Sequence, residues 1–237
     1  MDAALLIDSI ARLIGDAKHV ATGALSPIPT AAAMLARKRS GGKMQVTILG
    51  SRRNSRYTDG AKELFDSAAQ GRIDVFFLSG AQIDGEANIN LLSIGDYEKP
   101  KVRFSGSFGS PYLYMMVPRV ILFRPEHDRR ALVPKVDFIS APGWSPPEVY
   151  RPGGPMALVT GKCLFDWKKD ERRFALRSVH PGETAETIRE ATGFTYAEPE
   201  NVPFTPAPDA ALRAEIRELV QREVAEVYPR FAEEFAL

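Results

Sequence analysis

The chain has 237 residues, long enough for one large domain with a buried core, and its 44% hydrophobic and 26% charged residues are a globular balance. Lysine and arginine number 31 against 30 acidic residues, so a net charge of +1 supplies no global field to draw nucleic acid or an acidic membrane surface. The single cysteine, Cys163, excludes an intrachain disulfide and reads as a small core residue.

In chain order, Asp2, Asp8 and Asp16 interrupt the apolar residues at the start, and no cationic region precedes them as in a signal peptide. No apolar run approaches a membrane span, so a cytoplasmic protein is expected. Leu5, Leu6, Ile7, Ile10, Leu13 and Ile14 recur at helical spacing and predict an amphipathic helix over 4–15. A short strand follows at 19–22. Residues 26–29 read as a turn, with Thr30 capping a helix that runs to Arg39 and breaks at Gly41 and Gly42. A strand at 44–49, a polar loop at 50–56 and a helix at 60–69 come next. Residues 73–78 are apolar except for Asp74, the pattern of a strand buried on both faces.

Shorter strands are predicted at 88–94, 101–105, 119–123 and 136–140. The proline-rich stretch 142–155 reads as a rigid excursion over one face, because apolar strands resume at 156–159 and 162–165. Thr184 suits the N-cap and Gly193 the end of a helix at 185–192. Residues 201–208 are extended. A last helix at 209–227 carries a stripe of Leu212, Ile216, Leu219, Val220, Val224 and Val227, and Pro229 ends it. This order predicts the α/β class, with a mostly parallel or mixed sheet and helices on both faces. It suits a single domain over 1–237, of which 201–237 is a C-terminal extension and helix.

Three segments carry chemistry. In 104–111, Gly106, Ser107, Phe108, Gly109 and Ser110 follow a predicted strand, and such a glycine loop lets a ligand approach bare backbone amides. In 78–90, Gln82, Asp84, Asn88 and Asn90 cluster just past a buried strand, where open α/β sheets place their ligand crevice, although the same residue types build hairpin turns. In 180–194, His180 stands without an acid or second histidine at an informative spacing; His19 and His127 show no metal-ligand pattern either. Arg52, Arg53 and Arg56 form a local basic cluster suited to anions. Phe108, Tyr112, Leu113, Tyr114, Met115 and Met116 suit either a bulky acyl group or ordinary packing.

Taken in order, four stretches resemble β-type subunits of the class I CoA-transferase family, of the glutaconate CoA-transferase kind. Gly80-Ala-Gln-Ile-Asp84 with Asn88-Ile-Asn90 is similar to a family Gly-x-Gln-Val-Asp and Asn-x-Asn stretch, and Gly106–Ser110 resembles the family's glycine loop. Lys135-Val-Asp-Phe-Ile-Ser-Ala-Pro-Gly143 and His180-Pro-Gly182 with Thr192-Gly-Phe194 match two further segments. The resemblance spans roughly residues 5 to 195 of this sequence.

The resemblance implies an α/β sheet, an α-type partner subunit, and an acyl-CoA thioester as substrate with no permanently bound cofactor and no metal. It also implies a glutamate ending the second strand as nucleophile, since acyl transfer to a carboxylate runs through an anhydride. Leu49 stands there instead, and no acidic residue occurs between Gly41 and Thr58. The β-type chains of steroid-ring-cleaving acyl-CoA hydrolases, which this chain also resembles, share that absence. Three readings follow: hydrolysis or C–C cleavage with a base on the partner, transfer with a glutamate from elsewhere such as Glu86, and a non-catalytic acyl-CoA-binding module. For transfer and hydrolysis alike, Gly106–Ser110 is expected to contact the thioester, Gln82, Asp84, Asn88 and Asn90 to shape the crevice, and Arg52, Arg53 or Arg56 to hold a carboxylate or phosphate.

Overall fold

The structure is a computed structural model that describes residues 1–236. It gathers into two compact units, Met1–Phe77 together with the chain from Pro206 onward, and Leu78–Thr205.

The chain opens with α1 (Ala3–Ile14), which starts because the Asp2 carboxylate accepts a hydrogen bond from the Leu5 amide at 3.0 Å. It stops at Gly15, whose φ of +57° is left-handed. Leu5, Leu6, Ile7, Ile10 and Ile14 are buried, as their spacing requires. Strand β1 (His19–Thr22) leads to α2 (Pro27–Arg39), β2 (Gln45–Ile48), α3 (Ala61–Ala69) and β3 (Val75–Leu78). Strand β1 lies parallel to β2 on one side, with His19 opposite Gln45, and to β3 on the other, with Val20 opposite Val75.

The expected turn at 26–29 is the first turn of α2, because proline fits the start of a helix, where an amide N–H has no partner to lose. Thr30 therefore lies inside the helix rather than capping it; its hydroxyl donates to the Thr22 hydroxyl at 3.1 Å. Asp8, fully buried on α1, is paired with Arg12 and, at 2.6 Å, with Arg39 of α2. That pairing satisfies a charge whose burial alone is costly.

From residue 78 the elements are β4 (Gln82–Ile83), β5 (Ile89–Asn90), β6 (Ser93–Ile94), β7 (Val102–Arg103), α4 (Ser110–Met116), β8 (Arg119–Arg124), β9 (Pro155–Thr160), β10 (Cys163–Lys168), β11 (Arg173–Val179) and α5 (Ala185–Ala191). Within this unit β8 and β9 run parallel, while β10 is antiparallel to β9 and to β11. Two small hairpins, β4–β5 and β6–β7, stand apart from these strands. Burial alternates along β11, with Phe174, Leu176 and Ser178 inward. Phe165, Phe174 and Phe194 meet with ring centroids 5.5–6.1 Å apart, and Tyr196 packs edge-on to Phe165 at 5.0 Å.

Residues 136–140, expected as a strand, are irregular and are held by side chains of the preceding hairpin. The expected strand 88–94 divides into β5 and β6. After residue 206 come α6 (Ala210–Leu219), a π-helical turn (Val220–Val224) and α7 (Pro229–Ala236). Pro229, expected to end a helix, opens α7. The C-terminal segment packs with the first unit and buries Ile216, Leu219, Val220 and Val224. The α/β class with a mostly parallel sheet and helices is the one found.

Candidate functional site

Three loops carry the residues singled out above. The first ends β2. The Leu49 amide donates to the Thr22 carbonyl at 3.1 Å, so the parallel pairing runs one residue past the strand. Gly50 then turns with φ +88°. Ser51 is buried and its hydroxyl is spent: it donates to a Glu226 carboxylate oxygen at 2.7 Å and accepts from the Asn54 amide at 2.8 Å. The other Glu226 oxygen accepts from the Arg52 and Arg53 amides at 2.9 and 3.3 Å. The Ser51 hydroxyl first, and then these amides, hold the Glu226 carboxyl below the usual range.

Two residues on, the Tyr228 hydroxyl donates to the Gly23 carbonyl and accepts from the Ser26 amide, each at 3.2 Å. The C-terminal segment thus ties down the chain just beyond both β1 and β2. No sequence signal announced Glu226, which lies 175 positions from Ser51. Arg52, Arg53 and Arg56 are not brought together: Arg52 and Arg53 flank the turn after β2, whereas Arg56 lines a 720 Å³ cavity with Lys18, His19 and Gln45, at the amino ends of β1 and β2.

The second loop is Gly106–Ser110, which opens α4. Gly106 has φ +115° and Phe108 has φ +47°, a conformation costly for a bulky residue. The Ser110 amide closes the turn on the Ser107 carbonyl at 2.9 Å. Phe108 is 78% exposed and Tyr112 41%, whereas Leu113 and Tyr114 are core. The aromatic run therefore divides into packing residues and residues displayed outward.

The third is the β4–β5 hairpin. Asp84, buried, accepts from the amides of Glu86 and Asn88 at 3.1 and 3.0 Å through one oxygen. Through the other it accepts from Asn88 Nδ2 at 3.1 Å and the Val136 amide at 3.3 Å. Burial raises its pKa against the pull of these donors. Asn88 Oδ1 accepts from the Gly143 amide at 3.1 Å, and Gln82 Oε1 accepts from Asn90 Nδ2 at 2.7 Å and the Asp137 amide at 3.0 Å. Gln82, Asp84 and Asn88 thus bind residues 136–143 to the hairpin, and Asn90 holds Gln82 in place.

A Cβ on Gly143 would run into the Glu86 and Ala87 carbonyls, so only glycine fits there. Glu86 itself is exposed on the turn. Gln82 also lines a 640 Å³ cavity with Phe104, Arg124, Glu126, Asp128, Arg129 and Arg130. Of the histidines, His127 is buried between the Thr160 and Thr192 hydroxyls at 2.8 and 2.9 Å, and burial brings its pKa down to about 4. His180 is buried against Thr205 and the Thr160 carbonyl. Both are packing residues of the second unit. Burial also pushes the Cys163 thiol up, far from thiolate reactivity.

The first unit thus has parallel strands that run into a glycine turn, and the second has a glycine loop at the start of a helix and a polar hairpin that braces a Ser-Ala-Pro-Gly segment. The chain belongs to the coenzyme A transferase family: residues 3–191 match the family described as Coenzyme A transferase. The resemblance carried by the four ordered motifs is borne out.

The chain is 37% identical over 161 residues to the β-type subunit of the 3-oxoadipate CoA-transferase of Pseudomonas knackmussii, covering 65% of this chain and 62% of that protein. It is 29% identical over 140 residues to the IpdB component of the cholesterol ring-cleaving hydrolase of Rhodococcus jostii, covering 57% and 54%. The crystal structure of the decarboxylase AibA/AibB superposes with a TM-score of 0.78 at 27% identity, over 92% of this chain and 93% of that one. The sequence matches thus span less than two thirds of the length of these curated relatives. Among the described residues, no helix is long and apolar enough to cross a membrane.

Proposed function

We propose that the protein is the β-type subunit of a heteromeric enzyme that acts on an acyl-CoA thioester, and that it does not itself supply a carboxylate nucleophile. The observation that carries this reading is Leu49, which follows β2 and precedes the Gly50 turn. A hydrocarbon side chain cannot attack a thioester. Glu226, the carboxylate that reaches this turn, is spent on Ser51 and two backbone amides, and a carboxylate whose oxygens are so held is a poor nucleophile. Glu86 sits on an exposed turn and serves no better.

The attacking group is then water, activated by a base on the α-type partner, and the reaction is hydrolysis or C–C cleavage rather than transfer through a glutamyl intermediate. The positive φ values at Gly106 and Phe108 suit a nest of backbone amides for the thioester oxygen. Exposed Phe108 and Tyr112 offer apolar surface to the acyl group. Arg52 and Arg53 are the anion contacts. The relatives' names span transfer, ring-cleaving hydrolysis and decarboxylation, so the family fold alone does not choose the reaction and the side chain after β2 must.

The test is co-expression with an α-type partner and incubation of the complex with a panel of acyl-CoAs in heavy-oxygen water, with and without acetate or succinate. Acceptor-independent product carrying solvent oxygen is expected. New acyl-CoA formed only with acceptor would refute the reading.

A further inference from the structure

The proline-rich excursion 142–155 and the β10–β11 hairpin line an open cavity of 510 Å³ that no part of the proposed reaction uses. Its wall includes Trp144, Trp167, Arg151, Lys169 and Arg172, with Asp170 as its one acidic residue.

Three features mark it as built for an anion. Arg151 is half-buried, and its guanidinium donates to the Gly153 and Tyr114 carbonyls and the Ser145 hydroxyl at 3.1–3.3 Å. It has no carboxylate partner among the described residues, and a second N–H on each terminal nitrogen has no protein acceptor there. The Arg172 guanidinium carbon lies over the Trp144 indole, 3.9 Å from the ring centroid, and Arg172 also has no carboxylate partner among the described residues. The other two hairpin arginines are paired, Arg173 with Glu171 and Arg177 with Asp166. The Glu171 and Asp166 carboxylates are thus used elsewhere, and Asp170 is the one that remains in the wall.

Finally, Arg172 holds a φ of +48° at the hairpin tip, where glycine or asparagine would be less strained. A long cation kept in a strained turn, stacked and aimed along a cavity wall, is a feature with a use.

We propose that this cavity binds the phosphorylated nucleoside end of the acyl-CoA, a phosphate monoester carried next to a planar base. Arg151 and Arg172 clamp the phosphate, since guanidinium pairs fork to phosphate oxygens, and the indoles supply aromatic surface for the base. This rests on the acyl-CoA reading above and names the subsite for the far end of that substrate.

The cavity is tied to the thioester loop by backbone. The Gly153 amide donates to the Met115 carbonyl at 2.7 Å, at the end of α4, whose start is the Gly106–Ser110 loop. Seven residues of helix, roughly 10 Å, separate the two, a distance the pantetheine arm crosses.

Trp144 and Trp167 are the chain's only tryptophans, so tryptophan emission reports this cavity. The 237-residue chain and its co-purified complex are titrated with adenosine 3′,5′-bisphosphate, inorganic pyrophosphate and adenosine. A saturable emission change with the bisphosphate, weakened about tenfold or more by Arg172→Gly and again by Arg151→Gln, is expected. Adenosine should bind far more weakly, and pyrophosphate more weakly than the bisphosphate. Arg172→Gly relieves the left-handed backbone while removing the cation, so lost binding there cannot be lost folding.

No saturable change, or equal affinity in the variants, overturns the site; pyrophosphate binding as tightly as the bisphosphate overturns the nucleoside assignment. Turnover of acyl-CoA with a KM unmoved by both substitutions sinks the site and spares the functional reading. Bisphosphate binding that the arginines control, with no turnover of any acyl-CoA, does the reverse.

Discussion

Asp84→Asn is the sharpest test of the hairpin that braces residues 136–143. The aspartate is 4% exposed, and each of its oxygens accepts two hydrogen bonds, at 3.0–3.3 Å. Asparagine has the same shape but keeps one acceptor oxygen. One orientation turns the NH2 toward the buried Asn88 side-chain and Val136 N–H donors, the other toward the buried Asn88 amide and the Glu86 amide. Leaving each donor unsatisfied costs about 1–3 kcal/mol, so the substitution should destabilise by roughly 2–5 kcal/mol. That is a large fraction of the stability of a typical domain. Urea unfolding of wild type and variant, followed by far-UV circular dichroism, measures the difference at constant slope. The Asn88–Gly143 contact depends on the same turn, so a tryptophan-emission shift from nearby Trp144 should accompany it. A midpoint unchanged within error would refute the argument that these polar residues are scaffold.

His127 makes the protein acid-sensitive. Its folded pKa of about 4 lies below the unfolded value near 6.5, so the unfolded chain binds the extra proton. Its contribution is complete above pH 6.5 and falls as pH drops toward 4, by about 3 kcal/mol in all. His19 is shifted the same way by burial. His127→Gln should flatten the melting temperature over that range. Gly153→Ala places a methyl group against the Val117 and Met115 carbonyls and should cost roughly 3 kcal/mol, read as a lower urea midpoint. Glu226→Ala should speed amide hydrogen exchange at Arg52 and Arg53 and leave α4 unchanged. Borohydride added to the complex during turnover of acyl-CoA should leave the mass of this chain unchanged, because Leu49 forms no glutamyl thioester to reduce; a mass change on the β2-end peptide would refute that.

Much of the architecture was legible. The helical spacing in α1, the apolar run of β3 and the Thr184 cap of α5 are local signals, and each element formed where its residues required. Local signals also misled. Val136 to Ser140 looks like a strand, yet no neighbouring strand pairs with it, and its amides go instead to Gln82 and Asp84 side chains and to the Ile89 carbonyl. Residues 173–179 gave no strand signal on their own, because two arginines interrupt them, but the alternation is clear once one face is known to be buried. Pro27 read as part of a turn and Pro229 as a stop, and both proved to lie at helix starts, since proline has no N–H to lose there.

For the site, the four motifs and the leucine after β2 were determined by sequence order alone, because residue identity and spacing need no coordinates. Only the tertiary structure brought Glu226 to Ser51, showed that the polar hairpin is consumed in bracing 136–143, and left Arg151 and Arg172 facing a cavity with no carboxylate partner among the described residues. Those are contacts across tens to hundreds of residues. Chain folding sets them by packing, and no local pattern in the sequence encodes which distant partner a side chain will meet.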